Sequence, residues 1–262
     1  GPGAAHNIDL DFLQKSLPKD GSVHLSDKTN QYGVFVLAGP NARSVLQKIA
    51  DADISNESFK WLSMQEIPIG FCPKVRAMRV NFVGSLGWEL HHPIEYQLQL
   101  FEALQEAGAE FEIKNVGMRA MDSMRLEKSY RLWGTDLNAE NSALEANLHR
   151  FIKLNKGEFT GRQALVEQQE QGVPNKFCTI EIEASDADSF GNEPIIIDGK
   201  VVGRGTSGGY GHFIRKSLML GYIESGHANI GQECEVRLLD KLLPAKIIAE
   251  SPYDPENIAL KA

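Results

Sequence analysis

No apolar run in this sequence approaches the roughly 18 residues that would cross a bilayer, and no charged-then-apolar leader follows the opening Gly1-Pro2-Gly3. A soluble chain is expected, with GPG as a cloning remnant. Cysteine is scarce: Cys72, Cys178 and Cys234 are the only three among 262 residues. They are far apart and odd in number, which argues against a disulfide framework or a C-x-x-C metal site and favours a reducing compartment. The adjacent His91 and His92 would point to opposite faces of a strand, and no H-x-x-x-H or H-E-x-x-H accompanies them, so no metal is expected. Basic residues are scattered and outnumbered, 27 Lys and Arg against 35 Asp and Glu. The clustered charge of a nucleic-acid binder is missing.

What is present is a 42% hydrophobic fraction, enough for the core of one large or two ordinary domains. The segment YGVFVLAGPNARSVLQKIA begins with an apolar strand, Val34 to Leu37, breaks at Gly39-Pro40, and offers Asn41 as N-cap of a helix burying Val45, Leu46 and Ile49. In VRAMRVNFVG, Met78, Val80 and Phe82 alternate with Arg79 and Asn81, predicting a half-buried strand that ends at Gly84. Ile94, Leu98, Phe101 and Leu104 share one face of a helix stopped by Gly108, and Met118, Met121 and Met124 form a stripe that reads as core filling on another. This order suggests an α+β sandwich with helices on one face of an antiparallel sheet.

From about residue 176 the texture changes to short strands: KFCTIEIEA, EPIIID, KVVGRG, SLMLGYI, ECEVRLL and KLLPAKIIAE. Asp198-Gly199 between two apolar runs signals a tight hairpin, and a small β-barrel is expected. LNKGEFTGRQALVEQQEQGVPN reads as a short helix and linker near the boundary. The resulting division is a lead-in over 1–21, an α+β domain over 22–165 and a barrel over 166–262.

VVGRGTSGGYGH satisfies both G-x-G-x-x-G and G-x-S-x-G, with Ser207 central in the second. A dinucleotide site needs a helix opening directly after its glycines, and a nucleophile elbow needs strand, turn and helix with acid and base following. Here a β-rich run follows instead, so both matches read as coincidence. The glycines then supply positive φ or close backbone approach in a barrel turn.

Three stretches in order carry a more specific signal: NFVGSLGWELHHP, RAMDSMRLEKSYRLWGTDLNAENSALEANLHRFIKLNKGEFTGRQAL and FGNEPIIIDGKVVGRGTSGGYGHFIRKSLMLGYI. As a set they resemble the aminomethyltransferase (glycine cleavage T-protein) family. The likeness is greater to the folate-binding C-terminal region of dimethylglycine and sarcosine dehydrogenases, from about residue 22 to the end. The resemblance implies a ferredoxin-like antiparallel sheet with helices followed by a small β-barrel, the family's first domain being absent. It also implies a tetrahydrofolate-dependent one-carbon transferase in which an iminium-derived unit and tetrahydrofolate give 5,10-methylenetetrahydrofolate. Its partners would be the folate, an amine-derived one-carbon donor and a flavoprotein domain or chain, since these residues carry no flavin fingerprint. The setting would be cytoplasmic, or the mitochondrial matrix in a eukaryote.

By the family pattern, Glu89 holds the pterin edge, Phe82 lines its ring where relatives often have tyrosine, and Trp133 is an aromatic position near the folate. A pterin needs this combination, because its flat face wants apolar or aromatic walls and its donor edge wants a carboxylate. Arg125 and Glu127 have the alternative of an internal ion pair or an exposed helix face. T-proteins carry an arginine where this chain has Met121, and Arg119, two residues away on a helix, points about 200° elsewhere. The family's aspartate near N5 belongs to the absent domain, so no catalytic residue is assigned in this chain. The alternatives are a catalytically incomplete folate-binding module and a folate-dependent demethylase of the same fold.

Overall fold

The computed structural model describes residues 5–262, and the opening GPG lies outside the described residues. The chain divides into two compact units, a sheet unit that runs to Gly117 and takes in Glu256–Ala262, and a barrel unit, Met118–Pro255. This division by packing differs from the 165/166 boundary drawn from sequence texture, because the helix after Gly117 is bonded to barrel strands.

In the sheet unit, α1 (His6–Lys15) buries no residue. Strand β1 (Tyr32–Ala38) leads into α2 (Ala42–Gln47), then β2 (Met64–Ile69), β3 (Cys72–Met78), β4 (Gly87–Pro93) and α3 (Gln97–Gly108). The four strands order as β1-β4-β3-β2, every neighbouring pair antiparallel. Strand alternation sends Leu37, Ile67, Val75, Ala77, Trp88 and Leu90 to one face, where they join Val45, Leu46, Leu100 and Leu104 of the helices in a single core. Burying each large aliphatic of this kind contributes about 1.5–3 kcal/mol.

Three expectations are corrected here. β3 ends at Met78, and its buried phase is the odd one: Val75, Ala77 and then Arg79 point inward, whereas Val80 and Phe82 are only half-buried. On α3 the buried stripe is Leu100, Leu104 and Ala107, while Leu98 and Ile94 are exposed. Asn41 occupies the N-cap position of α2, but its side chain makes no capping bond.

In the barrel unit, α4 (Met118–Glu127) and α5 (Arg162–Gln171) precede six strands: β5 (Asn175–Ile182), β6 (Pro194–Ile197), β7 (Lys200–Gly211), β8 (Lys216–Glu224), β9 (Glu233–Leu238) and β10 (Lys241–Ile248). They close as β10-β5-β8-β7-β6-β9, which leaves no free edge. Asp198 and Gly199 both have positive φ, the two-residue turn their sequence signals. Ile180, Ile195, Met219, Ile223 and Val236 fill the barrel. The methionine stripe of α4 is not core, since Met118 is 75% exposed and Met121 and Met124 are half-buried. A short α6 (Ile258–Lys261) closes the chain.

Candidate functional site

Strand alternation that buries Trp88, Leu90 and His92 sends Glu89 and His91 to the opposite face of the sheet. Glu89 pairs across the ladder with Val36 on one side and Met78 on the other, so both flank its carboxylate. This face is open: Val34 and Val36 are 46% and 56% exposed. Glu89 is half-buried, and its Oε2 lies 3.3 Å from His91 Nε2. His92 is enclosed on the other face, stacked on Phe35 and within hydrogen-bond distance of Leu90 O and Gln97 Oε1.

Phe82 lies in the β3–β4 connection, half-buried. Asn81 shapes that loop: its Oδ1 accepts from the backbone N–H groups of Val83 and Gly84, and its Nδ2 donates to Ser85 O. Glu89 and Phe82 thus belong to the sheet unit, on β4 and on the loop that feeds it, whereas Trp133 belongs to the barrel unit.

Trp133 is 52% exposed on a loop that turns at Gly134, whose φ is +96°. Asp136, wholly buried, organises this loop and was not singled out from sequence. Its Oδ2 accepts from Leu132 N at 2.8 Å and Arg125 Nη1 at 2.7 Å; its Oδ1 accepts from Ser207 Oγ at 2.7 Å and from Thr206 Oγ1. Tyr222 donates to its backbone carbonyl. The signal available was WGTD itself, an acid in a Gly-containing turn beside an aromatic residue.

Arg125 is buried and paired with Asp136 and, through Nε at 2.6 Å, with Asp122. Glu127, also buried, accepts from the backbone N–H groups of Phe213 and Ile214 and so pins the β7–β8 hairpin. Arg125 is thus in an internal ion pair, as one of the two alternatives had it, whereas Glu127 is buried on backbone N–H groups and lies on no exposed face. Both are committed to holding α4 on the barrel. Arg119 is exposed.

The glycine-rich segment is the interior of β7, not a turn, and none of Gly203, Gly205, Gly208 or Gly209 has positive φ. Close approach explains them. A Cβ on Gly208 would run into Ser189, side chain and carbonyl, and one on Gly203 into Tyr222 O and Ile223. Ser207 donates to Asp136 and accepts from Arg125, which makes it a structural bridge and not a nucleophile. Gly208→Ala is expected to destabilise the protein by about 1–3 kcal/mol, the usual cost of overpacking. A urea melt checks this, a wild-type midpoint contradicting the packing assignment.

A hollow of about 940 Å³ on the barrel is lined by Glu181, Glu183, Asp198, Glu233 and Glu235 among others. Such an acidic lining disfavours an anionic ligand, and none of Phe82, Glu89 or Trp133 borders it. Among the described residues no three His, Cys, Asp or Glu side chains group as metal ligands, and no helix is long and apolar enough to cross a membrane.

All three cysteines are buried and unbridged. Burial pushes the thiol of Cys178 up to about 12 and that of Cys234 to about 11, from 9.0. The folded state therefore holds these protons more tightly than the unfolded chain. The resulting stability is complete below about pH 9 and lost as pH rises through 11 to 12. Denaturant midpoints are expected to fall between pH 9 and 11, with the native thiols unreactive to a disulfide-exchange reagent at pH 8; prompt reaction of all three in folded protein would contradict their enclosure.

Comparison with known proteins agrees with this architecture. The family model described as the GCVT N-terminal domain matches residues 2–156, and the glycine cleavage T-protein C-terminal barrel domain matches residues 175–254. The chain is 41% identical over 244 residues to mitochondrial dimethylglycine dehydrogenase of Homo sapiens, covering 92% of this chain and 28% of that protein. It is 31% identical over 251 residues to aminomethyltransferase of Desulfitobacterium hafniense, covering 95% and 67%. The crystal structure of glycine cleavage system aminomethyltransferase T from Bartonella henselae superposes with a TM-score of 0.81 at 21% identity, covering 96% of this chain and 67% of that one, a likeness of fold. The chain therefore spans little more than a quarter of the dehydrogenase and two thirds of the aminomethyltransferases. An antiparallel sheet with helices, a closed six-stranded barrel and both family models together place this chain in the glycine cleavage T-protein family.

Proposed function

We propose that this chain binds tetrahydrofolate through its sheet unit and acts as the folate-holding part of a one-carbon transferase yielding 5,10-methylenetetrahydrofolate. The observation that carries this reading is Glu89, a half-exposed carboxylate flanked by Val36 and Met78 on an open sheet face. That chemistry suits a planar heterocycle with a donor edge: the carboxylate accepts from the amino and ring N–H groups, and apolar neighbours border the ring. Phe82, half-buried on the loop that feeds β4, is the aromatic candidate in the same unit.

Tetrahydrofolate, when bound, supplies the nucleophilic N5 that captures the one-carbon unit. This chain's contribution is to fix the pterin and limit water around it. The dehydrogenase relatives support an amine-derived donor delivered by a flavoprotein domain or chain. The buried, unbridged thiols support a reducing compartment, cytoplasm or mitochondrial matrix.

Calorimetric titration of the folded chain with tetrahydrofolate tests the binding, and absence of binding overturns the reading. A methylene-transfer assay with and without a dimethylglycine dehydrogenase-type flavoprotein then separates a transferase from a folate-holding module without turnover. The latter reading is favoured by Met121, half-buried on α4 where the T-protein pattern has arginine. Transfer by the chain excludes it.

A further inference from the structure

Arg79 is 2% exposed, and among the described residues no carboxylate side chain pairs with it. A buried guanidinium without an acid is costly unless other acceptors surround it. Here Nη1 donates to Phe59 O at 2.7 Å, and Nη2 donates to Lys261 O at 3.0 Å and Ala262 O at 2.9 Å. Arg43 converges on the same end of the chain: its Nη2 donates to Ala262 O at 2.7 Å and to Asn56 Oδ1 at 2.8 Å. Both guanidinium carbons sit over the Trp88 ring, 5.4 and 5.7 Å from its centroid. Phe59 packs edge-on against that ring.

The segment held there is built to be held. Asn257, at φ +59°, turns the chain into α6; Leu260 is 5% exposed, and Lys261 Nζ lies over the Trp61 ring at 5.3 Å. Desolvation lowers the pKa of both arginines, so the site holds positive charge against a burial penalty that an acceptor-rich ligand relieves. The tail that follows the barrel unit thereby returns to the sheet unit, whose chain it left at Gly117.

We propose that Arg43, Arg79 and the Trp88 ring form a receptor for a peptide segment, filled by residues 256–262, and that this latch fixes the stretch following the barrel unit in the sheet unit. The ligand class is a short peptide presenting consecutive backbone carbonyls and one buried aliphatic side chain. Nothing in the folate reading depends on it.

The test is hydrogen exchange of the backbone amides of residues 258–262 in the folded protein, read by mass spectrometry beside a synthetic peptide of residues 256–262. Exchange in the protein is expected to be at least about tenfold slower than in the peptide, because it requires local release of the segment. Arg43→Gln is expected to recover most of that difference while its thermal transition confirms a folded sheet unit. Arg79→Gln should do the same, and if it fails to fold, Leu260→Ser loosens the tail from its apolar side. Exchange of these amides in the wild type at the peptide's rate, or in Arg43→Gln at the wild-type rate, overturns the proposal.

Discussion

Asp136→Ala is expected to cost about 3–5 kcal/mol, the effect of removing one partner of a buried ion pair. Arg125 would keep only the partly exposed Asp122 as an acidic partner, Leu132 N would lose its acceptor, and Ser207 Oγ and Thr206 Oγ1 would lose their bonds to the carboxylate. Because these groups lie on α4, on the Trp133 loop and on β7, one substitution loosens three elements of the barrel unit. A urea or guanidinium melt measures the loss. Asp136→Asn separates charge from shape: it keeps an oxygen for Leu132 N but removes the negative partner of Arg125, so an intermediate loss is expected. A wild-type midpoint for Asp136→Ala would mean that the cluster does not hold these elements.

The network also shows why parts of this fold were hard to read from sequence. Asp136 looks like an ordinary turn acid, because its donors come from residues 125, 206 and 207 as well as from the adjacent Leu132. Arg79 inverts the apparent phase of β3 for a similar reason: its acceptors at 261 and 262 are supplied by a tail about 180 residues away, and alternation of apolar residues cannot register an inward-pointing arginine. On α3, leucines at 98, 100 and 104 with Phe101 fit more than one helical stripe, and only the core formed with α2 selects Leu100 and Leu104.

Where partners are local, sequence was enough. Asp198-Gly199 encodes its own turn, and the six apolar runs after residue 175 each become a barrel strand. The glycines of β7 were legible as close-approach residues, but their place in a strand interior was not, because the neighbours that exclude a side chain, Ser189 and Tyr222, come from other segments. For the candidate site, the motif around Glu89 is what nominates the residue. Its flanking by Val36 and Met78 depends on a register that the sequence does not display.

Glu89→Gln is the second large effect expected. Glutamine keeps the size of the side chain but exchanges a charged double acceptor for an amide with a single acceptor oxygen and two donors, which would oppose the donor edge of a pterin. Hydrogen bonds to charged groups contribute about 1.5–3 kcal/mol, so a loss of roughly 10- to 150-fold in tetrahydrofolate affinity is expected. Glu89 sits on an open face and, among the described residues, its carboxylate contacts only His91, so stability should change little.

Calorimetric titration of wild type and Glu89→Gln with tetrahydrofolate, both shown to be folded by their thermal transitions, tests the central claim most directly. The expected result is binding by the wild type and at least tenfold weaker binding by the variant. Equal affinity in two folded proteins would contradict the assignment of Glu89 as the pterin ligand.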